Sequence, residues 1–305
     1  MRCTLLASTL VYVALLSPAA PARAAERANV NRRTGLFEPP LSDLRKAAER
    51  GDRAELARTA SRLGPARLAK GLADPDRRTV VAALEGIPLL PSGILLLDPI
   101  TALAGASDPA LREPAISALA ALLGGSDPSR LDDWEIPAAS TRAACQALAA
   151  AAGNEKEAVG LRLAAVQGLA DAGVICAASF DPTKLLSSAD PELRRAAVLA
   201  LPASPAAGGA LQAAAKDRDI RVAAAAGARL CARRSGGRAS PGEPSLAVLV
   251  LADGAPLEDV IEMLPCLVAS KDAADGKALE ALRASGPAPV RAAIKSLQPA
   301  GKTGN

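Results

Sequence analysis

No histidine occurs among the 305 residues, and aromatic side chains are nearly missing: two Phe, one Trp and one Tyr. The first absence removes the commonest general base, the Ser-His and Cys-His nucleophile pairs and every His-ligated metal site. Carboxylate and lysine chemistry are untouched by it. The second absence argues against nucleic-acid modules that stack bases on rings and against a large ligand pocket walled by aromatics. There is no CxxC pair, so thioredoxin-like redox chemistry and zinc ribbons lack their signature. A phosphate-binding glycine loop, a G-x-S-x-G elbow and an H-E-x-x-H motif are missing too. No cofactor or metal is therefore expected. What the chain does have is apolar bulk, at 50% of its residues, much of it alanine and leucine.

Met1-Arg2 opens the chain with a positive charge, residues 5–16 are apolar apart from Ser8 and Thr9, and Pro18 and Pro21 precede Ala22-Arg23-Ala24. These are the charged, apolar and A-x-A parts of a secretory signal peptide. The apolar run is shorter than the ~20 residues a spanning helix needs, so residues 1–24 are read as a cleaved signal and not as an anchor. No membrane span is expected after its removal. The reading is of a bacterial protein, exported to the periplasm or secreted. Loss of Arg2 and Arg23 lowers the formal net charge from +4 to +2. That weakens any electrostatic case for nucleic acid, and no nucleic-acid partner is expected. Residues 26–78 hold 13 Lys and Arg against 8 Asp and Glu. This excess reads as a solvated helical surface in preference to an electropositive docking end.

Residues 25–40 are polar, end in Pro39-Pro40 and read as a flexible leader; residues 299–305 read as a disordered tail. Between them one phrase returns: Asp-Pro, two residues, Arg, then Ala and Leu at helical spacing. Asp74-Pro75 leads to Arg78, Asp108-Pro109 to Arg112 and Asp190-Pro191 to Arg194, while Asp217 precedes Arg221 without the proline. Weaker copies surround Arg162 and Arg291. Asp suits an N-cap and the positive helix end. Proline fits the first helical position, where a missing donor costs nothing. Leu111, Ala115, Leu119 and Leu122 then fall on one helix face.

Successive Arg positions 78, 112, 162, 194 and 221 are separated by 34, 50, 32 and 27 residues, and the longest gap holds an insertion over 124–137. Such a period with two helices per unit is a solenoid signature. The helical segments read as 42–50 with 54–63, 65–72 with 75–86, 92–105 with 109–123, and 139–152 with 157–171. They continue as 182–188 with 191–201, 205–215 with 218–233, 245–252 with 256–270, and 273–284 with 288–297. A closed bundle is the alternative, but the recurring cap phrase favours an all-α solenoid of about eight stacked hairpins over 41–298.

The phrase resembles the second helix of the HEAT repeat family in its short bacterial form. The D-P-x-x-R-x-x-A-x-x-A-L pattern is nearly complete at 74–84, 108–119 and 190–201, and partial at 217–230, 253–264 and 287–297. The resemblance covers most of 65–297. It implies an α-solenoid whose concave face holds partners. It also implies a structural, non-catalytic ladder between repeats, here Asp74, Asp108, Asp190 and Asp217 with Arg78, Arg112, Arg194 and Arg221. Two departures stand out: Leu257 replaces the arginine in one copy, and Gly227 interrupts a second helix.

Signal removal takes Cys3 and leaves four cysteines, which allow three pairings. Cys231 lies 14 residues after Asp217 and Cys266 lies 13 after Asp253. They thus hold nearly equivalent places on second helices of adjacent repeats, within bridging reach of one another. The expected disulfides are Cys231–Cys266, and Cys145–Cys176 between a helix pair and its exit loop; the competing reading is of buried thiols acting as small hydrophobes.

The insertion carries Trp134 among Asp132, Asp133 and Glu135. An aromatic on a protruding loop is a candidate partner contact, set against a ring folded back over helix ends. The three carboxylates do not have the spacing of an EF-hand. Glu258, Asp259 and Glu262 read as a solvated helix face, because a sugar-cleaving carboxylate pair would normally be accompanied by aromatic platforms. Residues 234–245 form a breaker-rich linker. The whole reads as an exported, non-enzymatic scaffold for an unidentified protein partner, of open oligomeric state. Alternatives are a HEAT-like lyase or modification-associated chaperone, and an envelope assembly factor.

Overall fold

Alanine-rich segments with aspartate at their starts give helices throughout. The computed structural model describes residues 40–126, 128–202, 205–234 and 245–297, and every regular element among them is helical. The expected signal segment, nearly all of the leader, the tail and most of the linker lie outside the described residues.

The helices are α1 Leu41–Glu49, α2 Arg53–Leu72, α3 Arg77–Gly86, α4 Leu97–Ala104, α5 Pro109–Gly124, α6 Pro128–Asp133, α7 Ala138–Gly153 and α8 Val159–Ala172. They continue as α9 Pro191–Ala200, α10 Gly208–Ala214, α11 Ile220–Arg233, α12 Leu246–Val250, α13 Leu257–Ala269, α14 Ala273–Ser285 and α15 Ala288–Leu297. One row runs α1, α3, α5, α8, α9, α11, α13, α15, each packed on the next. The others flank it: α4 lies on α5, α7 on α8, α10 on α11, and α12 and α14 on α13. This is an α-solenoid, in which each unit buries its apolar face only against its neighbours.

The N-terminal pairing differs from the expected one. Helix α1 packs on α3 and so begins the row, while α2 contacts both. Gly64, at φ 69° and ψ 173°, splits α2 between Leu63 and Pro65, a left-handed conformation that glycine adopts without steric cost. Residues 182–188, expected to be helical, hold only a 3-10 turn at Pro182–Leu185. Residues 186–189 form the turn that leads into the next cap, Asp190.

The caps follow the expected chemistry at two repeats and shift at two. Asp108 accepts from the Ala110 amide, and Asp190 from those of Glu192 and Leu193, with proline next in each case. Asp74 and Asp217, expected as caps, sit two residues too early. The caps are Asp76 and Asp219, which accept from the Arg78 and Arg221 amides at 3.0 Å each. Asp74 and Asp217 instead accept from the amides of Asp76 and Asp219, both at 2.8 Å. In an Asp-x-Asp sequence the second carboxylate is the one nearer the free amides of the first turn. Helix α13 starts behind Pro256, not at Asp253.

The core falls into two stretches that meet at α9: Leu193, Ala196 and Ala197 belong to the first, Val198 and Leu201 to the second. Small residues set the spacing within the row. A Cβ on Gly168 would stand 2.4 Å from the Ala120 Cβ and 2.6 Å from its Cα, so α8 touches the backbone of α5. Gly227, expected to interrupt its helix, lies inside a continuous α11, where a Cβ would meet Leu249 and Met263.

Two glycine substitutions should therefore differ in sign. Gly168→Ala should lower unfolding free energy by about 1–3 kcal/mol through overpacking against α5. Gly276→Ala, on open surface of α14, should raise it by up to about 1 kcal/mol. Denaturant titration followed by circular dichroism reads both.

Candidate partner-binding edge

The arginine of the repeated phrase closes the turn within its own repeat. Arg112 donates to the Ala106 carbonyl at 3.1 Å, Arg162 to Ala152 at 3.1 Å, Arg194 to Ser188 at 2.8 Å and Arg291 to Gly286 at 2.6 Å. These carbonyls lie at the end of the preceding helix or in the turn after it, where acceptors lack helical partners. Links between repeats are more varied than a uniform ladder. Arg194 grips Asp217 through two hydrogen bonds of 2.8 and 2.9 Å. Arg112 reaches Glu157 at 3.0 Å instead of an aspartate. Arg77, not Arg78, pairs with Asp108, and Arg78 is 78% exposed in its side chain. Arg221 pairs with Asp219 and Glu192. Arg45 on α1 pairs with Asp76 at 2.6 Å, an N-terminal rung that lay outside the recognised phrase.

Arg194 is 5% exposed. Its hydrogen bonds are the main cause of the depressed Asp217 carboxyl pKa, and Arg194 itself is held above the ordinary arginine value by the same contact. Asp259 corrects the solvated-face reading: it is 2% exposed and sits 3.2 Å from Arg195. Burial raises its pKa and outweighs the opposing effect of Arg195.

The cysteines stand in two disulfide-distance pairs. Cys145 on α7 faces Cys176 with Cα atoms 5.3 Å apart, and Cys231 on α11 faces Cys266 on α13 at 5.8 Å. The first pair ties the connection that leaves α8 to α7. That connection, Gly173 to Phe180, contains Val174, which is 80% exposed.

The 124–137 insertion folds into α6, a helix the sequence reading left as irregular. It ends in a Schellman turn: the Ile136 amide donates to Leu131 at 2.9 Å and the Glu135 amide to Asp132 at 3.0 Å. Glu135 takes the left-handed position at φ 52°, where glycine is usual. This turn fixes Trp134. With Pro88, Leu90, Leu122 and Leu131 the ring lines a cleft beside the ends of α3 and α5, and it is 38% exposed. This is the setting of a ring turned toward helix ends with one part left exposed.

Three clefts adjoin along the edge formed by the connections from one repeat to the next. The first, about 250 Å³, is walled by Trp134, Pro88, Leu90 and Ile94. The second, about 400 Å³, shares Leu131 with it and is lined by Ile136, Arg142 and Val174. The third, about 620 Å³, shares Val174 with the second and is lined by Phe180, Leu199, Pro202 and Arg229. Trp134 and Phe180, the aromatics of the described residues, both stand on this edge. Val174 and Phe180 escaped the sequence reading. Their signal was a connection, 173–180, that is unusually apolar for a loop.

Asp132, Asp133, Glu135 and Asp171 are exposed on or beside this edge and form no ion pair among the described residues. Asp181 accepts from the Thr183 hydroxyl at 2.6 Å and its amide at 3.0 Å, which depresses its pKa. Among the described side chains the nearby cations are Arg142, Lys184 and Arg229, whose guanidinium donates to the Leu201 carbonyl. No group of three metal-ligating side chains gathers among the described residues. No described helix is long and apolar enough to cross a membrane.

No protein-family model matches the chain, and no curated protein matches it in sequence. Among solved structures, importin beta crystallised in an ammonium sulfate condition aligns with 92% of this chain at 15% identity and a TM-score of 0.52. The alignment covers 44% of that importin chain, so this chain spans less than half its length. An engineered protein aligns with 76% of this chain and 93% of its own, at 17% identity and a TM-score of 0.40. The first likeness shows a HEAT-like helical repeat fold.

Asp217→Ala should cost about 3–5 kcal/mol at neutral pH, because it strands a buried guanidinium. The depressed carboxyl contributes fully above its unfolded value of about 3.9 and loses that contribution as pH falls through the lower folded value. The gap between wild type and variant should thus narrow below about pH 4, read by denaturant midpoints across pH. Arg78→Ala, at an exposed side chain, should change stability by less than about 1 kcal/mol.

Proposed function

We propose that the chain is an exported, non-enzymatic scaffold that binds a protein partner through its inter-repeat edge. One observation carries this reading: three adjoining clefts on a single edge, the second and third mainly apolar, with Trp134, Val174 and Phe180 at their walls. Exposed aromatic and apolar side chains gathered beside preformed clefts are the usual anchors of an interface. The solenoid explains how they are held. Each connection leaves a row helix at a fixed place, so successive loops align on one side. The Cys145–Cys176 pair anchors the loop that carries Val174.

Export rests on the A-x-A signal at 22–24 and agrees with two cysteine pairs at bonding distance, which suit an oxidising compartment. The protein recovered from the envelope or medium of a bacterial host should begin at Ala25 by intact mass, with no free thiol. An uncleaved N-terminus or four titratable thiols would contradict export.

Affinity capture from envelope fractions should yield a stoichiometric protein partner. Trp134→Ala and Val174→Ser should each reduce its recovery by about tenfold, the scale of an interface anchor, while shifting the bait's melting temperature little. Unchanged recovery with both variants would move the binding surface elsewhere on the solenoid.

A further inference from the structure

Resting on the scaffold reading, we propose that the partner presents an extended segment in which apolar side chains alternate with arginine or lysine, and that this segment lies along the three clefts.

The apolar requirement comes from the clefts themselves. They adjoin through Leu131 and Val174, so one continuous segment can fill all three in sequence. The second and third expose mainly apolar lining, from Ile136, Val174, Phe180 and Leu199 among others, while the first has no charged lining residue but shows more polar than apolar surface. In the second and third, apolar side chains recover the free energy of excluding water.

The basic requirement comes from the rim. Asp132 lines the second cleft, Asp133 and Glu135 follow it in the same turn and Asp171 precedes the 173–180 connection; all four are exposed and form no ion pair among the described residues, beside the cations Arg142, Lys184 and Arg229, with the Arg130 side chain outside the described residues. Unpaired carboxylates around an apolar cleft favour a cationic ligand and repel an acidic one. The attraction is local, because the chain is net positive, formally +4 in full and +2 without residues 1–24, and would otherwise repel a basic segment. The same rim disfavours a symmetric pairing of two copies through this edge, which would set Asp132 to Glu135 against their own counterparts. It also disfavours an anionic lipid surface.

Three fluorescent 15-residue peptides test this on the purified protein as the cell exports it: Leu alternating with Arg, Leu with Glu, and Ser with Arg. Fluorescence anisotropy should show the Leu-Arg peptide binding at least about tenfold more tightly than either other peptide, with affinity falling as salt rises. Val174→Ser should weaken it, and Asp132→Asn with Asp133→Asn should weaken it and flatten the salt dependence. Val174 and both aspartates are exposed, so the variants should fold, which melting curves verify. Equal binding of Leu-Glu removes the charge selection; equal binding of Ser-Arg removes the clefts. No binding by any peptide overturns the proposal, as does a dimer in sedimentation that Val174→Ser dissociates. If peptides fail while a captured partner is still lost on Val174→Ser, the basic-apolar identity falls and the scaffold reading stands.

Discussion

The structure depends on how closely neighbouring row helices can approach. At the contact of α5 and α8, Gly168 faces Ala120 with no space for a methyl group. In α11, Ala223 to Ala226 are all buried. Helices with small contact residues sit close, and interiors have no slack to absorb added volume. The scarcity of aromatics is the compositional side of this constraint. Bulky rings would push the row apart, and the described ones stand on the edge.

Close stacking leaves a polar problem at each turn. Between two row-associated helices the chain reverses, and carbonyls at the reversal lose their helical partners. The repeated arginine answers this locally in α5, α8, α9 and α15, donating to carbonyls just upstream. Only after that do some of these arginines extend to the next repeat. Arg194 does both, and it does so at α9, where the two core stretches meet. A buried charge is tolerated there because Asp217 and two carbonyls surround it.

Much of the row was legible in the sequence, because Asp, Pro and Arg at a helix start mark it chemically. Asp108 and Asp190 cap helices as their spacing implied. What was harder to read has physical causes. Asp-x-Asp offers two candidate caps, and only the approach of the chain to the first turn selects Asp76 and Asp219. Asp259 looked solvated because Arg195, its partner, is distant in sequence and comes near only when α9 and α13 both stack on α11. Gly227 looked like a helix breaker, but its role is steric and lies in what Leu249 and Met263 need. The edge was half legible. Trp134 stood out by rarity, whereas Val174 gains its meaning only when Cys176 is tied to α7 and two clefts meet at its side chain.

The solenoid and the edge thus divide the work: the row supplies spacing, and the connections between repeats supply the surface. Hydrogen exchange of the chain alone and with its captured partner tests this division directly. The account predicts slowed exchange at 88–94, 131–136 and 173–183, with the row helices α9, α11 and α13 unchanged. Protection confined to those row helices, with the three connections exchanging as before, would contradict it.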